Sequence, residues 1–188
     1  MKEEANQVTF MMYATQAIAL NRTAQNNTDA ALNLIEDEIP TLRRFARSLT
    51  RDRDQADDLV QDCLLRAIEN IEKWQPGTSM RAWLIVMLRN LFYNKMRKAK
   101  RERESGDELQ AKVQTVTPAN QEHNLALQDL GEAFDQLSGD HREVLALVVI
   151  QGLDYETTAE VLDVKVGTVK SRLSRARSEL AATTGVDR

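Results

Sequence analysis

Several things are scarce in this chain, and each scarcity removes a class of protein. There is one cysteine, Cys63, in 188 residues, so no disulfide can form within the chain. Three prolines and seven glycines are too few for a fold of many short strands joined by tight turns. No apolar run approaches the ~18–20 residues of a membrane helix. The opening MKEEANQVTF has neither the basic nor the apolar region of a signal peptide. His123 and His141 are widely separated and lack the companion ligands of a metal site. No phosphate-binding loop or nucleophile with an attendant base can be picked out. The expectation is a cytoplasmic protein that is not an enzyme, with no membrane segment, metal or cofactor.

What is present is helical periodicity and strongly partitioned charge. Hydrophobic residues make up 42% of the chain and charged residues 29%, which suits a soluble, helix-rich protein with a core. The 29 acidic and 25 basic side chains leave a net charge of −4, but where the charges lie matters more than their sum.

Residues 1–28 are polar and weakly patterned, an N-terminal extension. From Asp29, placed to cap a helix, Leu32, Ile35 and Ile39 recur at helical spacing; Pro40 then suits the first turn of a helix, and Leu42, Phe45, Ala46 and Leu49 follow. Asp54 opens an amphipathic helix bearing Ala56, Leu59, Val60, Cys63, Leu64, Ala67, Ile68 and Ile71. Cys63 falls on its apolar stripe, as a core residue would. The turn at Pro76-Gly77 ends it, and another long helix starts near Ser79 with Trp83, Leu84, Met87, Leu88 and Leu91 on its apolar side.

Residues 104–121 are poor in large apolar side chains and read as a flexible linker. Beyond it, Leu127, Leu130, Phe134 and Leu137 share one helix, and Asp140 with Glu143 resembles a capping box for REVLALVVIQ. A short helix, YETTAEVLD, leads through a tight turn into KVGTVKSRLSRARSEL. The chain is therefore expected to be all-α. Two small helical bundles, residues 29–103 and 122–184, are joined by the linker, the second carrying a helix-turn-helix.

That last segment holds five positive charges and no negative one between Lys165 and Arg177. On a helix of 100° per residue, Val166, Val169, Leu173, Ala176 and Leu180 fall within roughly 80° of arc. Lys170, Ser171, Ser174, Arg175 and Arg177 face outward, with Arg172 at the margin. Gly167 and Thr168 at its start favour an anion. Surface helices normally mix signs; this face suits a DNA major groove.

A second basic patch, Lys95 to Arg103, carries six cations against Glu102 alone, just after Arg89, Asn90, Tyr93 and Asn94. Cations are favourable near a helix C-terminus in any case, yet aromatic, amide and cationic groups on one helix can also stack on bases and contact phosphates. The helix from Asp54 has the opposite bias, with Asp54, Asp57, Asp58 and Asp62 around Gln61. Carboxylates suit a helix N-terminus, and they also suit docking on a basic protein surface.

ADDLVQDCLLRAI, MRAWLIVMLRNLFYNKMRK and VGTVKSRLSRAR together resemble the sigma-2 and sigma-4 domains of extracytoplasmic-function sigma factors, over roughly residues 30–183. QPGTSMRAW and the N-terminal extension look most like the general-stress-response branch of alphaproteobacteria. The resemblance implies that Asp58, Gln61 and Asp62 face the β′ clamp helices of core RNA polymerase. It implies that Arg89, Asn90, Tyr93, Asn94, Arg97 and Lys98 melt and read the −10 element. It places Lys165, Thr168, Lys170, Ser171, Arg172, Ser174, Arg175 and Arg177 on the −35 element. The implied partners are promoter DNA, the polymerase core (its β flap included) and a small anti-sigma factor bridging both domains, the free protein being a monomer. One departure is Asp163-Val164-Lys165, where the family often has Gly-x-Pro; aspartate tolerates the left-handed turn required. The rival readings are a stand-alone helix-turn-helix regulator and a sigma-like decoy that sequesters an anti-sigma factor.

Overall fold

The computed structural model describes residues 29–104 and 125–184; the expected N-terminal extension, His123 and nearly all of the linker lie outside them. All regular structure among the described residues is helical, as expected. The helices are α1 (residues 29–50), α2 (Arg53–Glu69), α3 (Met80–Glu104), α4 (Leu125–Gln136), α5 (Gly139–Leu145), α6 (Tyr155–Leu162) and α7 (Val166–Thr184). A 3-10 turn (Ile71–Lys73) follows α2, and a π-helical turn (Ala146–Ile150) extends α5.

In the first bundle, α1 runs unbroken through Pro40 rather than restarting there. Pro40 and Glu36 are both exposed, so water can serve the carbonyl that proline cannot bond. Asp52, not Asp54, caps α2: its carboxylate accepts from the Gln55 amide at 2.8 Å. The amphipathic stripe of α2 buries Ala56, Leu59, Val60, Cys63 and Ala67. Ile68, expected inside, is 50% exposed. Opposite it, α3 supplies Met80, Leu84, Ile85 and Leu88, and α1 supplies Leu42, Phe45 and Ala46. The Cys63 thiol donates to the Leu84 carbonyl at 3.6 Å, and burial pushes its pKa up to about 12, so it sits in the core as a small neutral group.

The second bundle packs α4, α5 and α6 around α7. Ser138, not an Asp140–Glu143 box, caps α5, accepting from the His141 amide at 3.3 Å. Helix α6 is capped by Asp154, which accepts from the Thr157 amide at 2.6 Å; that bond holds the Asp154 carboxyl below its usual range. Asp163 then takes the left-handed conformation, φ 55° and ψ 50°, as the helix-turn-helix turn requires. Val169, Leu173 and Ala176 of α7 are buried, with Val166 and Leu180 packed at the edge. His141 meets the Glu179 carboxylate at 2.9 Å and staples α5 to α7.

The two bundles touch. Buried residues of both form one continuous hydrophobic cluster, and α3 lies against the second bundle through the contacts described below.

Candidate nucleic-acid interface

Helix α7 displays its cations because its buried stripe fixes the rotation of the helix. With Val169, Leu173 and Ala176 inside, Lys170, Ser171, Ser174, Arg175 and Arg177 are all exposed. Lys165 is exposed in the turn before them. The Lys170 ammonium sits 5.7 Å from the centre of the Tyr155 ring, a cation–π contact that restricts where it points. The Ser171 hydroxyl donates to the Thr168 carbonyl at 3.0 Å, leaving its lone pairs outward. Two residues differ from expectation. The Thr168 amide donates back to the Lys165 carbonyl at 2.8 Å and is not among the outward amides at the helix start. Arg172 folds back onto Asp140 of α5 and is three-quarters buried, so it braces α7 from the side.

Helix α3 carries the second patch. Asn90, Asn94, Arg97 and Lys98 are exposed. Arg97 donates to the Asn94 side-chain oxygen at 2.7 Å, and Lys98 lies 3.8 Å from Glu102 one turn on. Arg89 and Tyr93 are different: both are half-buried and reach the same carboxylate, Glu143 of α5. Arg89 Nε donates to Glu143 Oε1 at 2.9 Å, and the Tyr93 hydroxyl donates to Oε2 at 3.1 Å. The guanidinium also lies 4.9 Å from the Tyr93 ring centre. Burial, then the charge of Glu143, pushes the Tyr93 phenol up to about 12, so it stays a donor.

On α2, Asp58 and Gln61 are exposed, while Asp62 is partly covered. Lys95 of α3 pairs with Asp62 at 2.6 Å, and Arg43 of α1 lies 3.5 Å from Asp57. Asp58 lines a shallow pocket with Gln55, Leu59, Phe92 and Met96. The negative surface is thus graded: two aspartates are answered within the bundle, and Asp58 and Gln61 face outward.

Glu143 was misread from sequence as part of a cap. The signal that could have found it is its phase. It stands three and four residues before Ala146 and Leu147, both fully buried, so it shares their buried stripe, where an unpaired carboxylate is too costly to persist.

The sigma-70 region 2 family matches residues 34–102, which spans α2 and nearly all of α1 and α3. The sigma-70 region 4 family matches residues 127–180, which spans the helix-turn-helix. An extracytoplasmic-function (ECF) RNA polymerase sigma factor, EcfG of Rhodopseudomonas palustris, is 45% identical over 160 residues, 85% of this chain and 88% of that protein. The chain belongs to the ECF sigma factors. Among solved structures, this sigma factor is similar to RpoE of Bartonella quintana, determined in complex with the anti-sigma factor NepR. The TM-score is 0.72 at 40% identity, covering 86% of this chain and 99% of that one. CnrH, solved with the cytosolic domain of CnrY, is more distant: TM-score 0.61 and 26% identity, over 88% of this chain and 94% of that one. No helix among the described residues is long and apolar enough to cross a membrane, and no group of three or more potential ligands there can hold a metal ion.

Proposed function

We propose that this sigma factor docks on core RNA polymerase through the outward part of α2, with Asp58 and Gln61 in the contact and Asp62 at its edge. Helix α3 then reads the −10 element, Asn90 and Asn94 meeting unstacked bases and Arg97 and Lys98 following the backbone. Helix α7 enters the major groove at the −35 element with Lys170, Ser171 and Ser174 nearest the bases. Arg175, Arg177 and Lys165 take phosphates, and Arg172 positions the helix through Asp140. Polymerase supplies the chemistry; the sigma factor supplies selectivity and helps open the strands. Unstacking costs a few kcal/mol per base, which captured bases and phosphate contacts offset.

The observation that carries this reading is the pairing, in one chain, of an outward acidic α2 surface with two separate cationic surfaces on α3 and α7. A stand-alone regulator needs only α7, and a decoy needs neither cationic surface. The partner of the RpoE structure, together with the 45% identity to EcfG, supports control by a small anti-sigma protein of the NepR kind and service in a general stress response. The working compartment is the cytoplasm, where polymerase is, and the free chain is a monomer. Transcription in vitro with purified core polymerase on a promoter panel tests this: the expected result is core-dependent initiation at a subset of promoters. Binding to a NepR-type protein with no initiation anywhere would identify a decoy instead, and promoter binding that core does not affect would identify a stand-alone regulator.

A further inference from the structure

Helix α7 is gripped along one flank by the first turn of α5. The Asp140 carboxylate closes on the Arg172 guanidinium, which is three-quarters buried. The next side chain, His141, brings Nδ1 to 2.9 Å from Glu179 Oε1 and 3.0 Å from Oε2. A carboxylate only accepts, so Nδ1 carries the proton. Arg172 and Glu179 are seven residues apart, two turns or about 10 Å along one side of α7. Their partners are consecutive residues. One turn of α5 therefore holds α7 at two points, which fixes roll and tilt where a single contact leaves a pivot. That turn is itself seated. The Ser138 hydroxyl caps it by accepting from the His141 amide at 3.3 Å, and Arg142 donates to the Asp135 main-chain carbonyl of α4 at 3.1 Å.

The buried stripe alone does not set the helix finely enough. Val169, Leu173 and Ala176 decide which side of α7 faces inward, but apolar burial is non-directional. Side-chain ends lie roughly 5–6 Å from a helix axis, so a roll of about 20° moves them by about 2 Å. A hydrogen bond to a base edge has a working range of about half an ångström and does not survive that. On a wheel of 100° per residue, Arg172 and Glu179 fall about 90° to one side of the stripe, and Lys170 and Ser174 about 100° to the other. The grip is thus on the flank away from the residues assigned above to the bases. On their own flank α6 adds the Tyr155 ring, 5.7 Å from the Lys170 ammonium.

We infer that Asp140 and His141 are positioning residues for promoter selectivity. They hold α7 at the roll and tilt at which Lys170, Ser171 and Ser174 meet the −35 base edges, and neither touches DNA. Asp140 also keeps the Arg172 charge off the phosphates, where it would add affinity for any sequence. The inference rests on the reading of α7 as the −35 helix, and the two fail in different ways.

The test uses the full chain bound to core polymerase. Affinity is measured over a range of salt for two promoters with the same −10 element. One keeps the −35 sequence preferred in the promoter panel, and the other has it scrambled; the ratio of affinities reports −35 selectivity. Asp140→Asn and His141→Leu each break one grip. Asp140→Glu and His141→Asn are the conservative counterparts, asparagine offering an N–H near the place of Nδ1. Glu179→Gln, which keeps the shape and loses the charge, weakens the second grip from its other side. Circular dichroism and thermal melts establish that each is folded. The ratio should fall about fivefold or more in Asp140→Asn and His141→Leu, the size of one weakened base contact. It should fall less in Glu179→Gln and recover for the most part in the conservative variants. Affinity for the scrambled promoter should hold in His141→Leu. In Asp140→Asn it should rise, with a salt slope steeper by about one as Arg172 reaches a phosphate. An unchanged ratio in the folded variants would overturn the inference. So would an equal loss on both promoters, which would make the grips a matter of stability alone. A ratio near one in the parent would instead overturn the reading of α7 itself.

Discussion

Asp58 and Asp62 lie one turn apart on α2, yet their surroundings give them different roles. Asp62 already has a cation, Lys95, so part of its charge is spent holding α2 to α3; Asp58 is exposed. Asp58→Lys should therefore weaken core polymerase binding by about tenfold or more, since like charges across an interface cost on the order of a kcal/mol or more. Asp62→Lys should lower the melting temperature as well, because it sets a cation against Lys95. Titrating labelled core against each variant, alongside thermal melts, checks both; equal effects on binding and no effect of Asp62→Lys on melting would contradict the assignment. The two cationic helices should separate in the same way. Arg175→Ala removes a phosphate contact and should weaken binding evenly across −35 variants while lowering the salt slope by about one. Asn90→Ala should cost roughly 1–3 kcal/mol at one −10 position only. Promoter-variant panels read by initiation rate decide the matter; a uniform loss for Asn90→Ala would refute base reading. Tyr93 makes a further prediction about pH. Its pKa, raised to about 12 against about 10 for an unfolded tyrosine, means the folded chain keeps a proton that the unfolded chain releases. Its contribution to stability is complete below about pH 10 and lost as pH rises towards 12. Denaturation midpoints across that range should fall less steeply in Tyr93→Phe than in the parent.

At the scale of the elements, the helices were legible because their apolar stripes are regular and their ends carry recognisable residues. The stripe of α7 was read from Val166, Val169, Leu173, Ala176 and Leu180; the middle three are buried and the outer two packed at the edge, and with the stripe came the outward face. The turn before α7 was legible too: Asp163 stands where a left-handed residue is needed and takes that conformation. Asp163→Val should destabilise the second bundle by roughly 1–2 kcal/mol, the cost of a left-handed L-residue, while Asp163→Gly should be nearly neutral. Urea unfolding of the full chain gives the comparison; equal losses for both would show that the aspartate side chain, not the backbone, matters. What stayed hidden in the sequence is what depends on a distant partner. Arg172, read at the margin of the outward face, was grouped with the DNA-facing cations because nothing local says that Asp140, 32 positions earlier, would claim it. Glu143 looked like a cap because its true partners, Arg89 and Tyr93, are some fifty positions away. Pro40 looked like a helix start because the tolerance of an exposed proline depends on which side of the helix meets water.

For the whole molecule, the question is what joining the two bundles in one chain accomplishes. In the reading proposed above each bundle presents a DNA surface of its own, and each surface alone is a handful of cations and polar groups, the material of weak, salt-sensitive binding. A segment of about twenty residues separates the last described residue of the first bundle from the first of the second. Fully extended, such a segment reaches at most about 70 Å. Once one bundle is seated on polymerase, that reach holds the other at a local concentration on the order of millimolar, so the second contact forms as an intramolecular step. Splitting the chain within residues 105–124 should test this. The two halves, mixed at micromolar concentration with core, should initiate at a −35-dependent promoter at least about a hundredfold less efficiently than the intact chain. Initiation by the mixed halves at the full rate would show that polymerase, rather than the linker, brings the two bundles together.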